Sequence, residues 1–355
     1  MKVYTPFKIF HYKEKLDSLP RHSDKILPPV HVRVKPTNVC NHRCAYCAYR
    51  MEGLQLGKDM APRDSLPREK MLEIVDDLAA MGVAAVTFSG GGEPFCYPHL
   101  AETARRLADG GVQIASLTNG GLLCGAAAEV FAHMGTWIRI SLDGWDGPSY
   151  AHYRNVCERE FDRVLGNMAD FKKLGGHCFL GACYIIDKDN APHVYDMARR
   201  LKDLGVDSIK FSPCIISNDG TENNRYHAPF REQVKEQTAR ARAELADDTF
   251  EVFDTYHRLE EKFAKSYSWC PYLQVVPVIA ADQNVYACRD KAYNLEQGLL
   301  GSIRDRRFRD FWADGKQKFF RIDPSRHCNH HCVVNYHNTL IHEYLDTDPH
   351  HMAFA

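Results

Sequence analysis

Cys40, Cys44 and Cys47 fall within Thr37-Asn38-Val39-Cys40-Asn41-His42-Arg43-Cys44-Ala45-Tyr46-Cys47, so one short loop supplies three soft sulfur ligands at the spacing C-x3-C-x2-C. A cubane iron–sulfur cluster has four irons, and three thiolates leave one of them open to bind something reactive. Zinc is the other metal such a loop serves, with His42 or another histidine completing a tetrahedral site. A second patch of chemistry is Thr87-Phe88-Ser89-Gly90-Gly91-Gly92-Glu93-Pro94, where successive glycines let the backbone approach a ligand and a fixed carboxylate can meet an ammonium group. A plain glycine turn between strand and helix has the same composition. Late in the chain Cys270, Cys288, Cys328 and Cys332 provide four more thiols, enough to close every position of a second cluster or to hold one zinc.

The elements that must position these groups are legible from periodicity. Short β-rich runs at 31–35, 83–89, 112–118, 137–142, 178–185 and 207–212 alternate with amphipathic helical stretches, the sign of a parallel α/β arrangement. Between the first two runs, Pro67 opens a helix, Met71, Ile74, Val75 and Leu78 recur at helical spacing, and Gly82 stops it. In such folds reactive groups gather at the C-terminal ends of the strands. The three clustered cysteines follow the first strand and therefore sit at that mouth.

With 355 residues, 45% hydrophobic and 26% charged, the chain reads as a globular protein with a large barrel and an appended module. A formal net charge of -1 gives no electrostatic footprint for nucleic acid or an anionic membrane. The N-terminus lacks a signal-like apolar stretch and no long apolar run occurs, so the expected location is the cytoplasm, where thirteen cysteines serve metals better than disulfides. The expected division is an N-terminal extension (1–30), the barrel (31–215), a helical connector (216–268), the second cysteine module (269–336) and a C-terminal tail (337–355).

The cysteine loop after the first strand, paired with Gly91-Gly92-Glu93-Pro94 after the second, resembles the radical S-adenosylmethionine (SAM) superfamily over residues 31 to about 215. The resemblance implies an α/β fold, a partial (β/α)6 barrel with a small C-terminal auxiliary-cluster domain. It also implies a 4Fe–4S cluster on Cys40, Cys44 and Cys47 whose open iron is chelated by SAM. By the same resemblance Tyr46 packs beside the adenine, and Gly91, Gly92 and Glu93 form the segment receiving the methionine ammonium. Ser141 and Asp143, which flank Leu142 and share one strand face, match the polar pair near the ribose. Asn119 lines the same pocket or shapes the Asn-Gly turn, and Arg154 pairs with a carboxylate or sits at the surface. The fifth strand carries only Gly181 of the expected glycine pattern, so no adenine contact is assigned there.

Cys270, Cys288, Cys328 and Cys332 resemble the auxiliary-cluster extension called twitch, a shortened SPASM domain. The hairpin before Cys288 lacks the family's glycine, and Asn284 is the residue suited to the left-handed turn. His327, His330 and His331 surround Cys328 and Cys332, either to replace a ligand or, the favoured reading, as surface-polar neighbours. The resemblance implies a 5′-deoxyadenosyl radical, hydrogen abstraction from a small hydroxylated substrate (sugar, aminocyclitol or nucleoside-like), and oxidation with an electron passed to the second cluster. The cofactors would be SAM and two 4Fe–4S clusters, with a reducing partner such as flavodoxin or ferredoxin. The alternatives are peptide maturation, redox-neutral epimerisation or decarboxylation, and a non-enzymatic redox sensor holding iron–sulfur or zinc. Peptide maturation is disfavoured by the brevity of the segment before the first strand. Lys210 and Cys214, near the mouth on the sixth strand, are the candidates for a base and a hydrogen-atom donor.

Overall fold

The computed structural model describes residues 4–354. After a short helix α1 (Lys13–Asp17) come six strands: β1 (His31–Val34), β2 (Ala85–Phe88), β3 (Gln113–Thr118), β4 (Gly135–Ser141), β5 (Phe179–Ile186) and β6 (Ser208–Pro213). Each pairs in parallel with the next. The crossovers contain α2 (Arg68–Ala80), α3 (Leu100–Asp109), α4 (Gly125–Met134), α5 (Gly147–Arg154) with α6 (Arg159–Lys173), and α7 (Val194–Asp203). This is the mixed α/β fold with a parallel core that the alternation predicts.

Local sequence explains the elements that matter for the site. Along β1, Val32 and Val34 join the main apolar cluster with Met71, Ile74 and Leu78 of α2, while His31 and Arg33 alternate onto the other face. In α2 the residues Met71, Ile74, Val75 and Leu78 are buried, and Gly82 beyond it adopts φ +73°, which only glycine takes without strain. Helix α5 starts from a capping box in which the Asp146 carboxylate accepts from Ser149 N and the Ser149 hydroxyl receives the Asp146 N–H, and it ends at Asn155 in the left-handed region. That stop fixes where Tyr153 and Arg154 lie.

The sheet does not end at six strands. Two helices, α8 (Gly220–His227) and α9 (Arg231–Leu245), lead to β7 (Glu251–Asp254), which adds in parallel to β6, so the connector expected to be helical contains a strand. At the other edge β8 (Val278–Ile279) pairs in parallel with β1, followed by β9 (Asn284–Tyr286) and β10 (Leu299–Ser302), both antiparallel. The order is β10-β9-β8-β1-β2-β3-β4-β5-β6-β7. The second cysteine module thus grows from the edge of the first strand.

Two further expectations are corrected. The turn before β9 places Gln283, not Asn284, in the left-handed region, at φ 65°, and Asn284 opens the strand with its amide on Asp282. Residues from 337 are not a tail at first: Asn335–Leu345 is a helix that buries Ile341, and its Asn338 amide donates to Tyr267 and to Cys270 Sγ. Among the described residues no helix is long and apolar enough to cross a membrane.

Candidate active site

The cysteine loop leaves β1 and is pinned on two sides. Arg43 N and Ala45 N donate to the carbonyls of Arg154 and Tyr153 at the end of α5, at 3.0 and 2.9 Å. On the other side, Gly92 N donates to Thr37 O and Glu93 N to Val39 O. A Cβ on Gly92 would stand 2.1 Å from Val39 O and 2.4 Å from Asn38 C, so the glycine is required by close backbone approach to this loop. The two motifs form one wall.

This packing makes a prediction. Gly92→Ala must push the cysteine loop away, at a cost of about 1–3 kcal/mol, and iron content and SAM cleavage should fall together. Gly166→Ala, where a Cβ meets nothing within 4 Å in the middle of α6, should change neither. Equal loss in both variants would contradict the assignment of Gly92 to loop docking.

Glu93 is buried, and its carboxylate is heavily used. Oε1 accepts from the Thr118 hydroxyl (2.6 Å) and from Phe95 N (3.0 Å), and Oε2 accepts from Asn119 N (2.7 Å). With three of about four lone-pair sites filled, this side chain ties the ends of β2 and β3 together and has little left for an ammonium group. Burial raises its pKa, and those three donors oppose the rise. Asn119 shapes the turn and reaches the cysteine loop. Its carbonyl caps Gly121 N, and its amide donates to Asn41 at 2.7 Å inside the cysteine loop.

Arg154 is buried and ion-paired with Asp143, whose other oxygen accepts from Ile185 N. The surface alternative for Arg154 is therefore wrong: the guanidinium lies beneath the site, with Nη1 3.5 Å from Cys44 Sγ. Burial alone would lower its pKa, but the charges of Asp143 and Cys44 hold it above the usual range. The guanidinium also lies 5.6 Å from the Tyr46 ring centroid, a cation–π distance. Ser141 lies on the same strand face, and its hydroxyl has no partner among the described residues.

Whether these residues suit a cluster and SAM can be judged from what they leave unsatisfied. The Tyr46 hydroxyl, Ser89 Oγ and Arg154 Nε are buried without hydrogen-bond partners, all beside the cysteine loop. Cys40, Cys44 and Cys47 are free thiols, half-buried. Burial pushes Cys40 up to about 11, so loading metal there must release protons. Orphaned polar atoms around a mouth of thiols fit a polar cofactor bound at that mouth.

The second set also converges. Cys288 is pushed well up by burial and then by Asp290, Cys332, Cys328 and Cys270, so the four thiols lie within reach of one another's charge. Cys270 is raised to about 12, first by burial and then by Cys328. Among the described residues no three His, Cys, Asp or Glu side chains are close enough to grip one metal ion. Four thiolates spaced more widely than one ion allows would suit a larger, multi-iron core.

A cavity of about 470 Å³ opens between β1, β6 and this second set. Its lining includes Arg33 of β1, Lys210 and Ser212 of β6, Cys288 with Arg289 and Asp290, and His331. Lys210 thus faces a cavity, not solvent, whereas Cys214 is buried outside it and burial pushes its thiol up to about 12. The surface reading of the histidines fails for His330, which is 5% exposed, and for His331, whose Nε2 is buried without a partner. Arg33 and Arg289 were not singled out from sequence. For Arg33 a signal existed, since His31-Val32-Arg33-Val34-Lys35 places three basic residues on one strand face.

Residues 34–193 match the Radical SAM superfamily. It is 30% identical over 188 residues to the GTP 3',8-cyclase of Lactiplantibacillus plantarum, covering 52% of this chain and 54% of that protein. It is 26% identical over 231 residues to the PqqA peptide cyclase of Gluconobacter oxydans, covering 62% and 59% respectively. The chain spans little more than half the length of these curated relatives. Its fold is similar to that of Streptococcus suis SuiB bound to S-adenosylmethionine, with a TM-score of 0.65 at 14% identity, covering 94% of this chain and 80% of that one.

Proposed function

We propose that this protein is a radical SAM enzyme that oxidises a peptide substrate, with Cys40, Cys44 and Cys47 holding an open 4Fe–4S cluster and Cys270, Cys288, Cys328 and Cys332 holding a closed one. The observation that carries this reading is that Cys288 and barrel residues Arg33 and Lys210 line one cavity, so a substrate there lies against the second thiol set. When bound at Cys40, Cys44 and Cys47, the open cluster with SAM would supply a 5′-deoxyadenosyl radical for hydrogen abstraction, and Cys270, Cys288, Cys328 and Cys332 would hold an acceptor for the one electron left once the substrate has also lost a proton, a two-hydrogen oxidation in all. The protein's own part is orientation. Arg154 anchors Asp143 and the Tyr46 ring, Asn119 braces Asn41, and the glycine motif seats the cysteine loop.

Among the substrate readings, peptide maturation gains over the small hydroxylated substrate because a sequence relative is a peptide cyclase. A nucleotide is the second reading, favoured by the likeness to a GTP cyclase. The test is to incubate anaerobically reconstituted, reduced enzyme with SAM and candidate peptides or nucleotides. The expected result is 5′-deoxyadenosine together with a peptide lighter by two hydrogens. 5′-Deoxyadenosine paired with a changed nucleotide would replace the peptide reading, and no 5′-deoxyadenosine under any condition would end the radical one.

A further inference from the structure

The cavity between β1, β6 and Cys288 is cationic. Among the described residues Arg33, Lys210 and Arg289 line it, with the more exposed Lys8 and Arg258, against one acidic side chain, Asp290. Like charges crowded in a poorly solvated space repel one another and lose hydration, so an arrangement of this kind is costly unless something negative completes it.

Other buried and half-buried lysines of this chain show how a structural ammonium is accommodated. Lys318 donates to the carbonyls of Trp312, Asp314 and Gly315, Lys316 to those of Ser18, Pro20 and Ser23, and Lys15 to Leu27 O. Lys210 and Arg33 have no such caps: neither side chain makes a hydrogen bond or ion pair among the described residues, and both line the cavity. Burial drives Lys210 down to about 7 and Arg33 down to about 9. On the facing wall, His331 Nε2 and His337 Nδ1 are buried without partners.

We infer that this cavity binds an oxyanion of the substrate, a carboxylate or a phosphate, gripped by Arg33 and Lys210. The fork of a guanidinium suits the two oxygens of either group, and a neighbouring ammonium adds a point charge. An anchor here holds the substrate beside Cys288. The inference rests on reading the cavity as the substrate site, and it deepens that reading: an acidic residue or terminus for a peptide, a phosphate for a nucleotide.

The test is calorimetric titration of the reconstituted full-length protein with inorganic phosphate and, separately, with glutarate, at constant ionic strength. At least one should bind with a Kd on the order of a millimolar. Arg33→Gln and Lys210→Met should each weaken that binding by about tenfold or more, the loss of one charge-assisted contact. Lys210→Met should also leave the ligand-free protein at least as resistant to heat, because it removes an unpaired buried cation. A second measurement uses the wild-type chain: acylation of Lys210 by an amine reagent, mapped by mass spectrometry, should slow when the bound anion is present. Tighter phosphate binding points to a phosphorylated substrate and tighter glutarate binding to an acidic peptide. Binding of neither anion, undiminished binding in both variants, or unprotected Lys210 would overturn the inference. None of these readouts needs SAM turnover, so they fail or succeed independently of the proposed reaction.

Discussion

Cys44→Ala should abolish 5′-deoxyadenosine formation, by on the order of a thousandfold or more given the size of enzymic accelerations, and remove about four of about eight irons. The reasoning is positional. Arg43 N and Ala45 N, either side of Cys44, are held by the Arg154 and Tyr153 carbonyls, so the loop cannot slide to offer another ligand. Cys40 is a poorer choice for the experiment. Cys96 stands close enough for its charge to act on Cys40, and a neighbouring thiol can replace a lost one. If Cys44→Ala kept its iron and its cleavage activity, the cluster would have to lie elsewhere.

Arg154→Met should be the most damaging change to stability, because it leaves Asp143 buried beside no cation. Breaking a buried pair in this way costs about 3–5 kcal/mol. The cost should depend on pH. With Arg154 present Asp143 already sits at about 6, burial outweighing the guanidinium, and without it the folded-state pKa rises further above the unfolded value near 3.9. A carboxyl whose folded pKa is raised favours the folded state when protonated, and that support is lost as pH rises through the folded value. The variant's deficit in denaturant midpoint should therefore be larger at pH 8 than at pH 5. Asp143→Asn in the same chain should recover most of it. A deficit that ignores pH, or a double variant as unstable as the single one, would mean the pair is not what Arg154 supports.

These two residues also show where sequence reasoning reached its limit. The six parallel strands were legible within a residue or two, since β-branched runs ended by glycine and polar residues carry that information locally. The grouping of the cysteine loop with the glycine motif was legible as well, through a paired pattern. What was missed depends on contacts made far along the chain. Arg154 could not be told from a surface arginine until α5 folded it onto Asp143. Glu93 reads from sequence as a carboxylate without partners, and the Thr118 hydroxyl and Asn119 N that bond it come from the end of the next strand. β7 and β8 are four and two residues long, and their pairing with β6 and β1 leaves no period to read. Lys210 sits on a strand face whose surroundings come from the opposite end of the chain.

The proposed chemistry needs one open cluster on Cys40, Cys44 and Cys47 and one closed cluster beside the cavity. The most direct measurement is iron and sulfide content together with electron paramagnetic resonance of the reduced, anaerobically reconstituted protein, with and without SAM. The expected result is about eight irons per chain and two signals, of which SAM perturbs one, and that one disappears in Cys44→Ala. About four irons with a single signal, or two signals that both ignore SAM, would contradict it.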